Sequence, residues 1–176
     1  MRETEHTNTV KIDSTFSFRT ATMQDGVAVW KAVQAAGTLE LNTAYFYLIF
    51  CSDFGQTCLI AQQNHQIAGV LVGYRPPKHP DTAFCWQIGV LPAWRGQGLA
   101  RRMLEAWLAL PANQDARWLT ATVAASNEAS KRLFRGYADS NGLTCTVTPH
   151  FTEDLLPAGH EPEPLYRIGP IEARLP

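Results

Sequence analysis

The chain has 176 residues, and 15 Lys and Arg stand against 16 Asp and Glu for a formal charge of −1. That length predicts one domain with a sizeable core. The charge balance lacks the basic excess expected of a partner for nucleic acid or an anionic membrane surface.

The start of the chain, 1–14, is polar and has no apolar segment of the kind that marks a secretion signal. It reads as a disordered lead-in to a single domain over 15–176. No apolar run is long enough to span a bilayer, so the expectation is a cytoplasmic protein. Cys51, Cys58, Cys85 and Cys145 show no C-x-x-C pairing. They read as buried thiols in a reducing compartment, neither metal ligands nor a nucleophile with a partner base.

Phe16 and Phe18 alternate with polar residues and predict a first strand. Thr22 with Asp25 marks a helix start, followed by Val27, Trp30, Val33 and Gln34 and closed by Gly37. Asn42 is placed to cap a second helix carrying Tyr45, Phe46, Leu48, Ile49 and Phe50. Residues 57–62 and 66–75 read as strands joined at Asn64-His65, the second broken by Pro76-Pro77. Thr82 to Val90 is apolar on both faces, as a covered central strand is.

A glycine turn and a helix over 96–110 follow, with Leu99, Met103, Leu104, Trp107 and Leu108 at helical spacing. Trp118 to Val123 reads as a strand. Ser126 is placed to cap a helix reaching Ala138, with Ala129, Leu133 and Phe134 facing inward. Thr144–Thr148 and Leu165–Ile168 read as closing strands. The order βααβββαβαββ is an α/β mixed sheet flanked by helices, without repeat or linker.

The stretch Trp86 to Leu110, WQIGVLPAWRGQGLARRMLEAWLAL, is the most informative. A buried strand runs into Arg95-Gly96-Gln97-Gly98-Leu99-Ala100, which opens an amphipathic helix. A helix start presents free backbone N–H groups and a partial positive charge, a natural seat for phosphate. Glycine at 96 and 98 lets a ligand approach the backbone, and Arg95 can add a charged fork on the anion.

R-x-x-G-x-A at this place resembles the acetyl-CoA loop, Q/R-x-x-G-x-G/A, of the GCN5-related N-acetyltransferase superfamily. Arg95, Gly98 and Ala100 fill its fixed positions. The segments Leu39–Ile49, Asp81–Val90, Gly98–Leu104 and Gly159–Pro170 narrow this further. They resemble the L-2,4-diaminobutyrate acetyltransferases over about residues 18 to 171. The resemblance implies the N-acetyltransferase fold, acetyl-CoA as cosubstrate, no metal and a homodimer. It implies transfer of acetyl to the γ-amine of L-2,4-diaminobutyrate, a step toward the osmolyte ectoine. Other readings are another small amine, amino acid or protein N-terminus as acceptor, or a module that only senses acetyl-CoA.

Acyl transfer to an amine requires the neutral amine. An ammonium of pKa about 10.4 is mostly charged at pH ~7.5, and neutralising it costs about 4 kcal/mol. A site must take that proton, aim the nitrogen and support the oxyanion. By resemblance, Glu40 holds or deprotonates the amine, although the family usually has Asp there; a solvated loop carboxylate is the alternative. Asn42, Tyr45, Trp86, His160 and Glu161 fall at substrate-contact positions, with Tyr45 a catalytic candidate. Tyr45 and Trp86 also fit core packing, and His160 also fits an exposed loop.

Backbone N–H of Ile88 or Val90 is the implied oxyanion donor. The resemblance also assigns Arg95, Gly96, Gln97, Gly98 and Ala100 to the diphosphate and implies Asn127, Ser130 and Phe134 beside pantetheine. Asn127 also fits a helix cap. Many superfamily enzymes carry Tyr where this chain has Phe134, and Phe134 cannot protonate a thiolate. Tyr137 or the substrate's own ammonium is left as the acid, or the thiolate departs unassisted.

Overall fold

A seven-stranded sheet forms the centre of the computed structural model, which describes residues 16–172. The expected lead-in over 1–14 lies outside the described residues. The elements are β1 (Ser17–Thr20), α1 (Gly26–Ala36), α2 (Ala44–Asp53), β2 (Leu59–Gln63), β3 (Gln66–Tyr74), β4 (Thr82–Val90), α3 (Leu99–Leu108), β5 (Trp118–Thr122), α4 (Glu128–Ser140), β6 (Thr144–Phe151) and β7 (Glu163–Gly169). This is the expected βααβββαβαββ order. Across the sheet the strands run β1-β2-β3-β4-β5-β7-β6, antiparallel except where β4 meets β5.

Two apolar layers hold the sheet. Leu99, Met103, Leu104 and Trp107 of α3 and Phe134, Tyr137 and Ala138 of α4 pack one face against Ala83, Cys85, Leu119, Ala121, Tyr166 and Ile168. Val29, Val33, Tyr47 and Cys51 of α1 and α2 cover Ile60, Val70 and Val72 on the other. These helices stop short of β5, β7 and β6 on that second face. There the alternating residues Thr120, Thr122, Leu165 and Arg167 border open cavities.

Several boundaries differ from expectation, each for a local reason. Thr43, not Asn42, caps α2: its Oγ1 accepts from the Phe46 amide at 3.3 Å, while the Asn42 amide donates to the Tyr47 hydroxyl. Asn127, not Ser126, caps α4 by accepting from the Ser130 amide at 3.1 Å. α3 begins at Leu99, after a turn in which Gly96 and Gly98 have φ of +75° and +70°. Thr22 and Asp25 first make a single 3-10 turn, Met23–Asp25, so α1 starts at Gly26. Its inward stripe is Gly26, Val29, Ala32, Val33 and Ala36, and Val27 and Gln34 face solvent.

The expected strand 57–62 begins two residues late, at Leu59, because Thr57 closes a turn, Gly55–Thr57, in which its buried hydroxyl donates to the Gly73 carbonyl. Asn64 and His65, at φ of 49° and 64°, make the two-residue connection from β2 to β3. The closing strands are longer than the apolar pattern implies, since β6 and β7 pair with each other from Thr144↔Gly169 to Phe151↔Glu163.

Candidate active site

β4 and β5 pair only at Thr82↔Trp118, Ala83↔Leu119 and Phe84↔Thr120. Beyond Phe84 the two parallel strands separate, and β4 continues to Val90 with one backbone edge unpaired. The Leu91 amide donates to Ala68 on the β3 side. Strand alternation therefore turns the amides of Ile88 and Val90 toward the gap. The Val90 carbonyl faces the same way, for it accepts from Arg95 Nε at 3.1 Å.

One opening enters this gap from the α3–α4 side. It has a volume of about 290 Å³ and is lined by Thr38, Leu39, Ile88, Gly89, Val90, Arg95, Ala100, Asn127, Ala129, Ser130 and Leu133. Ala129, expected to face inward, borders this groove and is exposed. Between Arg95 and Ala100 runs the glycine turn. No side chain caps the start of α3 and its first turn carries no acid, so its amides are available to an anion. A Cβ at Gly96 or Gly98 would meet no atom within 4 Å, so left-handed backbone rather than crowding requires glycine there.

Arg95 does more than face the groove. Besides Val90, its guanidinium donates to the carbonyl of Ala36 at the C-terminus of α1. Asn127 likewise serves the α4 cap while lining the groove. Phe134 does not line it: the ring is buried in the core, 6.4 Å from Tyr166. Tyr137 is buried too and borders a separate cavity beyond the C-terminal end of α4.

A second opening, of about 430 Å³, reaches the gap from the α2 side. It is lined by Phe46, Phe50, Phe54, Tyr74, Phe84, Trp86, Thr122, Phe151 and Glu163. A β-bulge sets Trp86 there: β3 residues Val72 and Gly73 pair with Gln87 and Cys85, leaving Trp86 without an opposite residue. Trp86 packs 4.5 Å from Phe46 and 5.6 Å from Phe50 between ring centroids. The Glu163 carboxylate is the acid in this aromatic wall, and Thr122 Oγ1 donates to it at 2.6 Å. Trp86 in one opening and Ile88 in the other are two residues apart, about 7 Å along the strand.

The structure thus gathers Ile88, Val90, Arg95, Ala100, Asn127 and Ser130 on one groove and puts Trp86 in the facing cavity. The other expected substrate residues line neither opening, although Glu40 and Asn42 follow Thr38 and Leu39 of the groove in the chain. Glu40 is exposed on the α1–α2 loop, and Tyr45 is 70% exposed on α2, which removes core packing as its role. His160 is exposed in the loop between β6 and β7. The Glu161 carboxylate accepts from the Ser126 amide at 2.9 Å, tying that loop to the start of α4.

Glu163 was missed by sequence reasoning. Its signal is the alternation Glu163-Leu165-Arg167 against Tyr166-Ile168, which puts the acid opposite the core face. The thiols are not candidates: burial pushes Cys51 up to about 11, Cys58 up to about 12, and Cys85 further. Among the described residues, no group of three or more His, Cys, Asp and Glu is placed to hold a metal, and no helix is long and apolar enough to cross a membrane.

A mixed sheet opened between parallel strands, with a glycine-turned helix start at the opening, is the architecture of the GNAT acetyltransferases. Residues 27–137 match the Acetyltransferase (GNAT) family. The L-2,4-diaminobutyric acid acetyltransferase of Marinococcus halophilus is 40% identical over 170 residues, covering 96% of this chain and 98% of that one. That of Chromohalobacter salexigens is 38% identical over 159 residues, 90% and 83% of the two chains.

Diaminobutyrate acetyltransferase EctA from Paenibacillus lautus, solved with its substrate L-2,4-diaminobutyric acid and coenzyme A, superposes with a TM-score of 0.84 at 37% identity, covering 89% of this chain and 96% of that one. Ard1 from Thermoplasma volcanium, at 18% identity and a TM-score of 0.65, shares the fold. The chain belongs to the GNAT acetyltransferases and, within them, to the L-2,4-diaminobutyric acid acetyltransferase family.

Proposed function

We propose that this enzyme transfers acetyl from acetyl-CoA to the γ-amine of L-2,4-diaminobutyrate, giving the N-γ-acetyl product used for ectoine. The observation that carries this reading is the meeting of two unlike openings at the β4–β5 gap. One presents backbone amides and a helix start, suited to a diphosphate and an amide-bearing arm. The other presents aromatic faces and one carboxylate, suited to a small cationic amino acid. The substrate names of the related enzymes support the choice of diaminobutyrate.

In this reading, Gly96–Ala100 seat the diphosphate with Gln97 and Arg95 beside it, and Asn127 and Ser130 bond the pantetheine amides. The amide of Ile88 or Val90 supports the oxyanion as the nitrogen attacks. Glu40 takes the ammonium proton, with Asn42, Tyr45 and Trp86 contacting the diamino acid. Glu163, held by Thr122, pairs with an ammonium, and this takes over the role expected of Glu161. His160 stands at the tail side of the site. The thiolate departs unassisted or takes a proton from the substrate. The enzyme works as a homodimer in the cytoplasm and serves osmoadaptation.

An acceptor screen tests the substrate, following free thiol release from acetyl-CoA. Diaminobutyrate is expected to outperform ornithine, lysine and spermidine in kcat/KM. Parity among them would overturn the assignment and leave a broader amine acetyltransferase.

A further inference from the structure

Gln87 stands out because it is a polar side chain on the central strand, 5% exposed, between Trp86 of the acceptor cavity and Ile88 of the cosubstrate groove. A buried amide persists only where all its polar atoms find partners. Here they do. Gln87 Nε2 donates to the backbone carbonyl of Glu40 at 2.7 Å. Its Oε1 accepts at 3.0 Å from the hydroxyl of Tyr47, which is fully buried. The same hydroxyl accepts from the Asn42 amide at 3.5 Å. The polarity is fixed in one sense: a reversed amide would set oxygen against the Glu40 carbonyl.

What this network holds is not core. Glu40 and Leu41 are exposed and Asn42 is half-buried. The segment is instead a bridge between the two openings. Thr38 and Leu39 just before it line the cosubstrate groove, and Phe46 just after it lines the acceptor cavity. A Cβ on Gly89 would come within 2.7 Å of Leu39, so this bridge also rests directly on β4.

The geometry points to Gln87 and Tyr47 as positioning residues for the reaction, which fix the backbone at 40–42 and thereby set where the Glu40 carboxylate meets the amine. The inference rests on the assignment of Glu40 as proton acceptor. The site needs a donor to one neighbour and an acceptor to the other, which neither Met nor an ionised Glu supplies in place of Gln87.

The test is a double-mutant cycle on the intact enzyme with Gln87→Met, close in length and able to stay buried, and Glu40→Gln. Tyr47→Phe is the milder second variant should Gln87→Met fold poorly. Gln87→Met is expected to lower kcat with diaminobutyrate by roughly thirtyfold, and Tyr47→Phe by roughly fivefold. The dissociation constant for CoA, measured calorimetrically, is expected to shift by less than about threefold. In the Glu40→Gln background either change is expected to cost less than about twofold more.

If the two losses multiply while Glu40→Gln is itself damaging, the positioning inference fails alone. An innocuous Glu40→Gln beside a damaging Gln87→Met overturns both it and the role of Glu40. A lower melting temperature with kcat and KM unchanged reduces the network to a stabilising contact and overturns the inference as well.

Discussion

The two openings at the β4–β5 gap are made of different material. The side we assign to the cosubstrate is mostly main chain: the turned-out amides of Ile88 and Val90, the left-handed glycines 96 and 98, and the uncapped start of α3. The side we assign to the acceptor is mostly side chain: rings from α2, β3, β4 and β6 around one carboxylate from β7. A main-chain site is insensitive to most substitutions and fragile at the few that set its dihedrals. A side-chain site can be retuned at many positions, each changing which amine fits. One fold can thus keep its donor while its acceptor varies.

This contrast breaks most readily at Gly98. Gly98→Val forces a β-branched residue into left-handed backbone, costing about 1–2 kcal/mol, and withdraws a charge-assisted amide contact of about 1.5 kcal/mol. Acetyl-CoA affinity measured by calorimetry should fall on the order of a hundredfold. Wild-type affinity would mean that side chains, not the turn, hold the diphosphate. Next is Glu163→Gln on the acceptor side. Loss of an ionic hydrogen bond of about 2 kcal/mol should raise KM for diaminobutyrate about thirtyfold and leave that for acetyl-CoA unchanged. A parallel rise in both would erase the division between the openings.

Phe134→Tyr probes whether the core behind the groove takes part in chemistry. Its hydroxyl would be buried without an assured partner at a cost of about 2 kcal/mol, lowering Tm by roughly 5 °C. kcat should stay constant, and a gain of about tenfold would show that acid help to the thiolate had been limiting. Glu161→Ala should raise KM for diaminobutyrate by less than about threefold, since its carboxylate serves the Ser126 amide. A thirtyfold rise would return it to the amine.

The smallest effect on activity is expected at Asp25, which lines neither opening. Arg19 and the Thr22 amide and hydroxyl hold its carboxyl down to about 2 from a usual 3.8. A depressed folded pKa gives stability that is complete above about pH 4 and is lost as pH falls toward 2. Arg19 is 41% exposed, so solvent screens the pair. Asp25→Asn should cost about 1 kcal/mol at neutral pH. Denaturant melts of the two proteins should converge near pH 2; an equal gap at both pH values would refute the ion pair as its source.

The same contrast explains what was legible in the sequence. Gly96, Gly98 and the amphipathic α3 are a local pattern, so the glycine turn and helix start could be read from adjacent residues, as could the βααβββαβαββ order. The gap itself could not, because only the β4–β5 register shows that pairing ends at Phe84. Glu163 and Thr122 meet across 41 positions, and Gln87 reaches Glu40 across 47. No window of sequence contains such pairs. Caps slipped by one residue at Thr43 and Asn127 because adjacent Asn, Ser and Thr compete for the same amides, and tertiary bonds to Tyr47 and Glu161 decide between them.

The short β4–β5 seam bears on how the enzyme responds to its own cosubstrate. Three rungs join the β1–β4 half of the sheet to the β5–β7–β6 half. A pantetheine arm bonded along β4 and to α4 would act as a surrogate strand, splicing the halves where polypeptide pairing stops. Saturation with CoA at a hundred times its dissociation constant then adds about 2.7 kcal/mol of resistance to unfolding.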